Sequence, residues 1–183
     1  MASNPNPQGK GLAVVLRDLE SFHSEVPIRP KSIQEVSQEL FTSLFILHSD
    51  CHFTAIQGQA YYLYRLNGRY SLLMLGPDEW AGGSPGVFMG TCCLREDLTW
   101  TLDLSDFARN DTDFQEELNT AKKEFEKQLE ASNTLEETLP FYENNMTYHQ
   151  RVLAYALSKS LHASMELEGI AQLSYKEALK ELK

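Results

Sequence analysis

The pair Asn67-Gly68 constrains this chain most. It stands between two strand-like runs, residues 60–66 and 69–75. A two-residue Asn-Gly loop needs positive φ at both positions, and its twist matches that of paired antiparallel strands. The turn therefore predicts a register, with Arg65 opposite Tyr70, Leu63 opposite Leu72 and Tyr61 opposite Met74. Successive strand residues point to opposite faces. Tyr61, Leu63, Tyr70, Leu72 and Met74 then share a core-like face. Tyr62, Tyr64, Arg69 and Ser71 lie on the other face with Leu66, Leu73 and Leu75, a mixture that suits only partial cover.

The neighbouring segments extend the sheet. Gly58-Gln59 reads as another tight turn, which makes residues 53–57 a strand before it. Residues 87–94 and 98–102 read as a second hairpin joined by Arg95-Glu96-Asp97, with Phe88, Cys92, Leu94, Leu98, Trp100 and Leu102 on one face. Gly90 falls opposite Leu102, where a missing side chain leaves room for a close neighbour. Together these runs predict an antiparallel meander of about five strands. Between the hairpins, Gly76-Pro77-Asp78-Glu79-Trp80 suits the first turn of a helix, with φ fixed by Pro and two acids at the positive end. Residues 82–86 read as a flexible loop.

These pieces resemble a known family. Tyr61-Tyr62-Leu63-Tyr64, Pro77-x-Glu79-Trp80, Pro85-x-x-Phe88-x-Gly90 and Leu94-x-x-Asp97-Leu98-Thr99-Trp100-Thr101 are similar in order and spacing to the domain of unknown function 2452. The likeness covers roughly residues 33–103. The family carries a helix just before the sheet, and commonly a Ser where this chain has Gly76. The resemblance implies a shared fold and no particular activity.

Helical signals surround the sheet. Ser32-x-x-Glu35 is a capping box. After it Ile33, Val36, Leu40, Leu44 and Leu47 form a stripe, with Phe41 and Phe45 beside it, wide enough to cover one face of a sheet. Thr112-x-x-Gln115 reads as a second capping box, followed by Phe114, Leu118, Ala121, Phe125 and Leu129 at helical spacing. A long helix is expected from near Pro140 to Gly169, with Met146, His149, Leu153, Ala156, Leu157 and Leu161 on one side. Its middle, 152–157, is apolar nearly all round, which predicts burial on two sides. Ser174-x-x-Glu177 caps a short last helix. Leu12, Val15, Leu16, Leu19 and Phe22 also fall at helical spacing, and residues 27–30 form an extended link. The expected class is α+β, with helices mainly on one face of the sheet. Residues 1–10 are expected to be a flexible N-terminus, 11–103 a helix-plus-sheet core, and 104–183 a helical part packed on the same domain.

Composition then narrows the function. Sixteen Lys and Arg against 26 Asp and Glu give a formal charge of −10. An acidic chain repels phosphate, which disfavours nucleic acid and anionic membranes as partners. No apolar run is long enough to span a bilayer. The first residues lack the regions of a signal peptide. Three cysteines, two of them adjacent, do not suit a disulfide framework. These features predict a cytoplasmic protein.

No motif supports catalysis, and no cofactor is implied. Gly82-Gly83-Ser84-Pro85-Gly86 matches the pattern of a hydrolase elbow, but the residue after that Ser must donate its backbone N–H. Pro85 has none. His48-x-x-Cys51-His52 with Cys92-Cys93 lacks the paired spacing of a structural zinc site, so no metal is expected. His149 lacks an orienting carboxylate at a suitable spacing. Trp100 alternates with Leu98 and Leu102 and reads as core. The residues best suited to meet a ligand or partner are Tyr62, Tyr64, Arg69, Glu79 and Trp80. The leading expectation is a non-enzymatic binding or scaffold domain that engages a protein partner, or a second copy through the C-terminal helices. The alternative is a small-molecule binder or enzyme using the Tyr/Arg sheet face and the Pro-x-Glu-Trp turn.

Overall fold

The computed structural model describes residues 26–143 and 145–181. The expected N-terminal tail over 1–10 and the helical pattern over 11–22 lie outside them. Asn67 and Gly68 both take positive φ, 49° and 79°. They join β1 (Ala60–Leu66) to β2 (Arg69–Leu73) in the expected register, Arg65 facing Tyr70 and Leu63 facing Leu72. The pair Tyr61–Met74 does not form. The Tyr64 hydroxyl donates to the Leu75 carbonyl at 3.1 Å, which draws the chain over the sheet, and Met74 is exposed.

Among the described residues the sheet has four strands rather than five, and it is not a meander. Its order is β2-β1-β3-β4, with β3 (Val87–Leu94) and β4 (Trp100–Leu104) both antiparallel to their neighbours. β1 is thus flanked by β2 and β3, so neither of its edges is free for residues 53–57. The chain on either side of that segment bonds elsewhere. Asp50 exchanges backbone hydrogen bonds with Tyr70 and Leu72 on the outer edge of β2, and the Gly58 N–H donates to Leu94 at 2.8 Å. Phe53 stacks on Tyr61 with ring centroids 4.9 Å apart. Gly58 has the expected positive φ, but it sits within a turn closed by the Gln59 N–H on the Ile56 carbonyl.

Two irregularities shift residues away from their expected places. Leu63 faces Gly90 while Tyr64 faces Phe88, so Met89 is the extra residue of a bulge. Phe88 thereby joins the Tyr62 and Tyr64 face, packing on both rings at 6.2 and 5.5 Å. The β3–β4 connection runs from Arg95 to Thr99, whose carbonyl accepts from the Arg95 N–H at 2.8 Å. Asp97 accepts from the Thr99 N–H and hydroxyl, and Leu98 takes a φ of 66°. The longer turn moves the register by two, so Leu94 faces Trp100 and Gly90 faces Leu104 rather than Leu102. A shift of two preserves the faces. Leu98 leaves the main core for a satellite cluster with Val26, Val152, Tyr155 and Ala156.

Gly90 does admit a close neighbour. A β carbon there would collide with the backbone of Asp103 and Leu104, whereas one at Gly82 meets nothing. Gly90→Ala is expected to lower stability by about 1–3 kcal/mol, the usual cost of forcing atoms into a packed site. Gly82→Ala is expected to change it little. Urea denaturation of both variants checks the contrast, and equal midpoints would refute it.

Among the described residues the helices are α1 (Ile33–Leu47), α2 (Asp106–Asn110), α3 (Thr112–Ala131), α4 (Tyr148–Glu168) and α5 (Tyr175–Glu181). The capping boxes at Ser32-Glu35 and Ser174-Glu177 form as expected. The start of α3 differs. Asp111, not Thr112, accepts from the Phe114 N–H, and Gln115 reaches the Ala108 carbonyl. α4 also starts later than Pro140. Thr147 caps it, with Gln150 accepting the Thr147 N–H at 2.8 Å, and it ends at Gly169 with φ 80°. His149 is exposed, while Gln150 is buried and donates to the Ser49 carbonyl. Leu153, Leu157, Leu161 and Met165 of α4 share one buried cluster with Leu40 of α1 and with Tyr61, Leu63 and Trp100 of the sheet.

Candidate functional site

The structure brings four of the five candidate residues together. Tyr64 is fully buried on the second face of the sheet. The Trp80 indole N–H donates to its hydroxyl at 3.1 Å, and the two rings meet edge to face at 6.2 Å. Burial pushes the Tyr64 phenol above its ordinary value, and its own proton is given to Leu75. Glu79 accepts the Gly76 N–H at 2.6 Å, so a side chain three residues on closes this turn without a Ser at position 76. A β carbon at Gly76 would stand 3.0 Å from the Tyr62 ring, which explains why the smallest residue suits this place. The turn at Pro77–Glu79 thus clasps the Tyr62 and Tyr64 face.

Arg69 stands apart from this group. It is exposed at the start of β2 and lines a cleft beside the C-terminal end of α1. Arg65, opposite Tyr70 on β1, is paired to Asp111 at 2.7 Å and placed over the Phe107 ring. Nothing local in the sequence distinguished the two arginines.

That cleft belongs to a groove the sequence reading missed. α3 lies beside α1 through a chain of aromatic contacts. Phe125 meets Phe41 at 5.6 Å, Phe41 meets Phe45 at 6.5 Å, and Phe45 meets Tyr70 at 5.3 Å. Over its 20 residues α3 buries only Phe114 and Leu129. Phe41, Phe45, Tyr70 and Phe125 stay half-buried. On one side of the Phe41–Phe125 contact the groove opens to about 670 Å³, on the other to about 520 Å³. The larger opening has Asp50, Glu117, Glu124 and Arg69 at its rim. The Tyr70 hydroxyl donates to Glu117 at 2.9 Å. Burial, with the Glu117 carboxylate beside it, pushes the Tyr70 phenol up to about 12, so it stays neutral. The signal for this groove was present in Phe41 and Phe45, which lay beside the apolar stripe rather than on it.

A buried ion network, too, leaves no local mark in the sequence. The Lys31 side chain is only 1% exposed, and its ammonium donates to Glu39 at 2.6 Å and Asp97 at 2.7 Å. Arg95 donates to Glu39 at 3.0 Å. The Ser160 hydroxyl donates to the Asp97 carbonyl at 2.6 Å. The network therefore ties the chain before α1, α1 itself, the β3–β4 turn and α4 at one point. An ammonium enclosed between two carboxylates is a pin, not a nucleophile.

The remaining candidates have ordinary roles in the fold. The Ser84 hydroxyl donates to the Gly86 carbonyl within its own exposed loop. His48 bonds the Leu44 carbonyl, Cys51 donates to the Phe53 carbonyl, and His149 meets Thr54. Burial raises the Cys92 thiol to about 12, and Cys93 adds to the shift, so Cys92 is a thiol at neutral pH. Among the described residues no group of three or more His, Cys, Asp or Glu is placed to hold a metal ion. Nor is any described helix long and apolar enough to cross a membrane.

A family model described as "protein of unknown function (DUF2452)" matches residues 27–129, more than half of the 183-residue chain. The chain belongs to this family. No solved structure matches it. The DUF2452 match reaches further than the resemblance over 33–103. At its start it takes in Lys31, and at its end most of α3. The four ionic members of the buried network and both walls of the aromatic groove fall within it. α4 and α5 lie beyond.

Proposed function

We propose that this DUF2452 chain is a non-enzymatic protein-binding domain, and that its contact surface is the aromatic groove between α1 and α3. One observation carries the reading. A 20-residue amphipathic helix buries two residues and leaves four aromatic rings half-buried between two open clefts. Aromatic side chains offer large apolar area at low conformational cost, and they are enriched where proteins meet. A groove walled by helices suits an inserted segment of a partner. The three free thiols fit a reducing, cytoplasmic setting. The Tyr62–Trp80 cluster supports a ligand site less well, because the Tyr64 hydroxyl is already engaged and Arg69 stands apart from it.

Selection of displayed peptides against the intact protein tests this. Peptides selected on the wild type are expected to lose affinity at least about tenfold on Phe125→Asp, the effect of charging a central apolar contact. Circular dichroism and thermal melting establish that the variant is folded, as a half-buried position allows. Peptides that bind both proteins equally, or no selected peptide at all, would overturn the reading.

A further inference from the structure

We infer that the groove takes a basic amphipathic helix of about three turns. This rests on the protein-binding reading and specifies the partner's chemistry. The floor is apolar, formed by Phe41, Phe45, Tyr70 and Phe125. Among the described residues the rim of the larger opening carries Asp50, Glu117 and Glu124 against Arg69, with His48 on the same rim and Lys127 paired to Glu124 at 3.3 Å, so carboxylates still outnumber the fixed cations. An occupant must therefore bring apolar side chains inward and positive charge to its flanks. The chain's formal charge of −10 works against a second copy, and the same field repels nucleic acid. One aromatic face already holds a cation, since the Lys122 ammonium lies 5.8 Å from the Phe41 ring centroid. Lys or Arg on a partner can use the remaining faces in the same way.

The walls decide the shape of the occupant. α1 and α3 satisfy their backbone groups internally and offer no ladder to an added strand. β2 is the strand that reaches the larger opening, where the helix would sit, and Asp50 already bonds Tyr70 and Leu72 there; β4 borders only the smaller opening. A helix needs no such ladder, because its own backbone is satisfied. The rim along α3 runs from Glu117 to Gln128, a length of about 16 Å at 1.5 Å per residue. That matches a helix of about three turns with apolar residues at i, i+3 or i+4, and i+7.

Three synthetic helical peptides test the inference. They share one apolar stripe and carry Lys, Gln or Glu on its flanks. Fluorescence anisotropy with the full chain is expected to rank them Lys, Gln, Glu, with at least about tenfold between the extremes at low salt. Added salt should narrow that gap. Glu124→Lys should weaken the Lys peptide and strengthen the Glu peptide, and it leaves the Tyr70–Glu117 bond in place. Phe125→Asp should weaken all three. Equal binding of the three peptides, or a ranking unchanged by Glu124→Lys, would overturn the basic preference while the protein-binding reading stands. If none of the three binds, the inference is overturned, and the display selection alone decides the reading.

Discussion

Lys31→Ala is expected to destabilise the protein by about 3–5 kcal/mol, the usual cost of removing one partner from a buried ion pair. Lys31 is enclosed, and among the described residues Glu39 and Asp97 would keep Arg95 as their one ionic partner, with a side chain 41% exposed. The desolvation of both carboxylates would then lack its main compensation. Against a typical domain stability of about 5–15 kcal/mol, the loss is large. It should also change the response to acid. Burial alone would raise the Asp97 carboxyl, but hydrogen bonds from Lys31 and Thr99 outweigh it and hold the group below its ordinary 3.8. A carboxyl lowered by folding stabilises the protein above its unfolded value, and that contribution is lost as pH falls through the folded value. The wild type therefore keeps it until the pH is below 3.8. Without Lys31, burial opposes only Thr99 and the more distant Arg95, so the acid transition should move to higher pH. Urea titration at neutral pH and acid unfolding followed by circular dichroism measure the two effects. A loss under about 1 kcal/mol would mean that the network contributes no more than a surface pair.

What could be read in advance was local. Two residues, Asn67 and Gly68, set their own dihedrals and with them the β1–β2 register. Ser32-Glu35 and Ser174-Glu177 needed only four neighbouring positions. The strand count failed because it depends on which edges are free. Residues 53–57 are strand-like, but β1 already has a neighbour on each side. The β3–β4 register failed by two because the Asp97 side chain supports a longer turn than three polar residues suggested. Phe88 changed face through a bulge, and no single residue announces a bulge. The site followed the same rule. Tyr62, Tyr64, Glu79 and Trp80 could be singled out from spacing. Lys31 meets Asp97 across 66 positions, so a lysine in a Pro-rich link gave no sign of being buried. The periodic apolar residues of α3 resembled an ordinary core seam. That Phe125 stays half-buried depends on how α3 lies against α1, which periodicity does not encode.

The two tryptophans should separate in their response to truncation. Trp100→Ala is expected to cost about 3–5 kcal/mol, from lost burial and the cavity left behind. The ring is 2% exposed and packs on Tyr61 at 5.9 Å, inside the cluster that joins α1, α4 and the sheet. Its backbone N–H, bonded to the Ser43 hydroxyl at 2.9 Å, is untouched by the change, so the loss belongs to the ring. Trp80 is half-buried and clasps the opposite face. Trp80→Ala removes one hydrogen bond to Tyr64, about 0.5–1.5 kcal/mol, and one edge-to-face contact of similar size. The Tyr64 hydroxyl would still donate to Leu75, so no buried donor is stranded. The expected cost is therefore about 1–3 kcal/mol, below that of Trp100→Ala. Tyr64→Phe supplies the comparison, since it removes the same hydrogen bond from the other side together with the one to Leu75. If the clasp acts through that bond, Trp80→Phe and Tyr64→Phe combined should cost less than the sum of the two single changes. Chemical denaturation of the variants decides the matter. Equal losses from Trp80→Ala and Trp100→Ala would make the Pro77–Glu79 turn part of the core rather than a clasp laid over it.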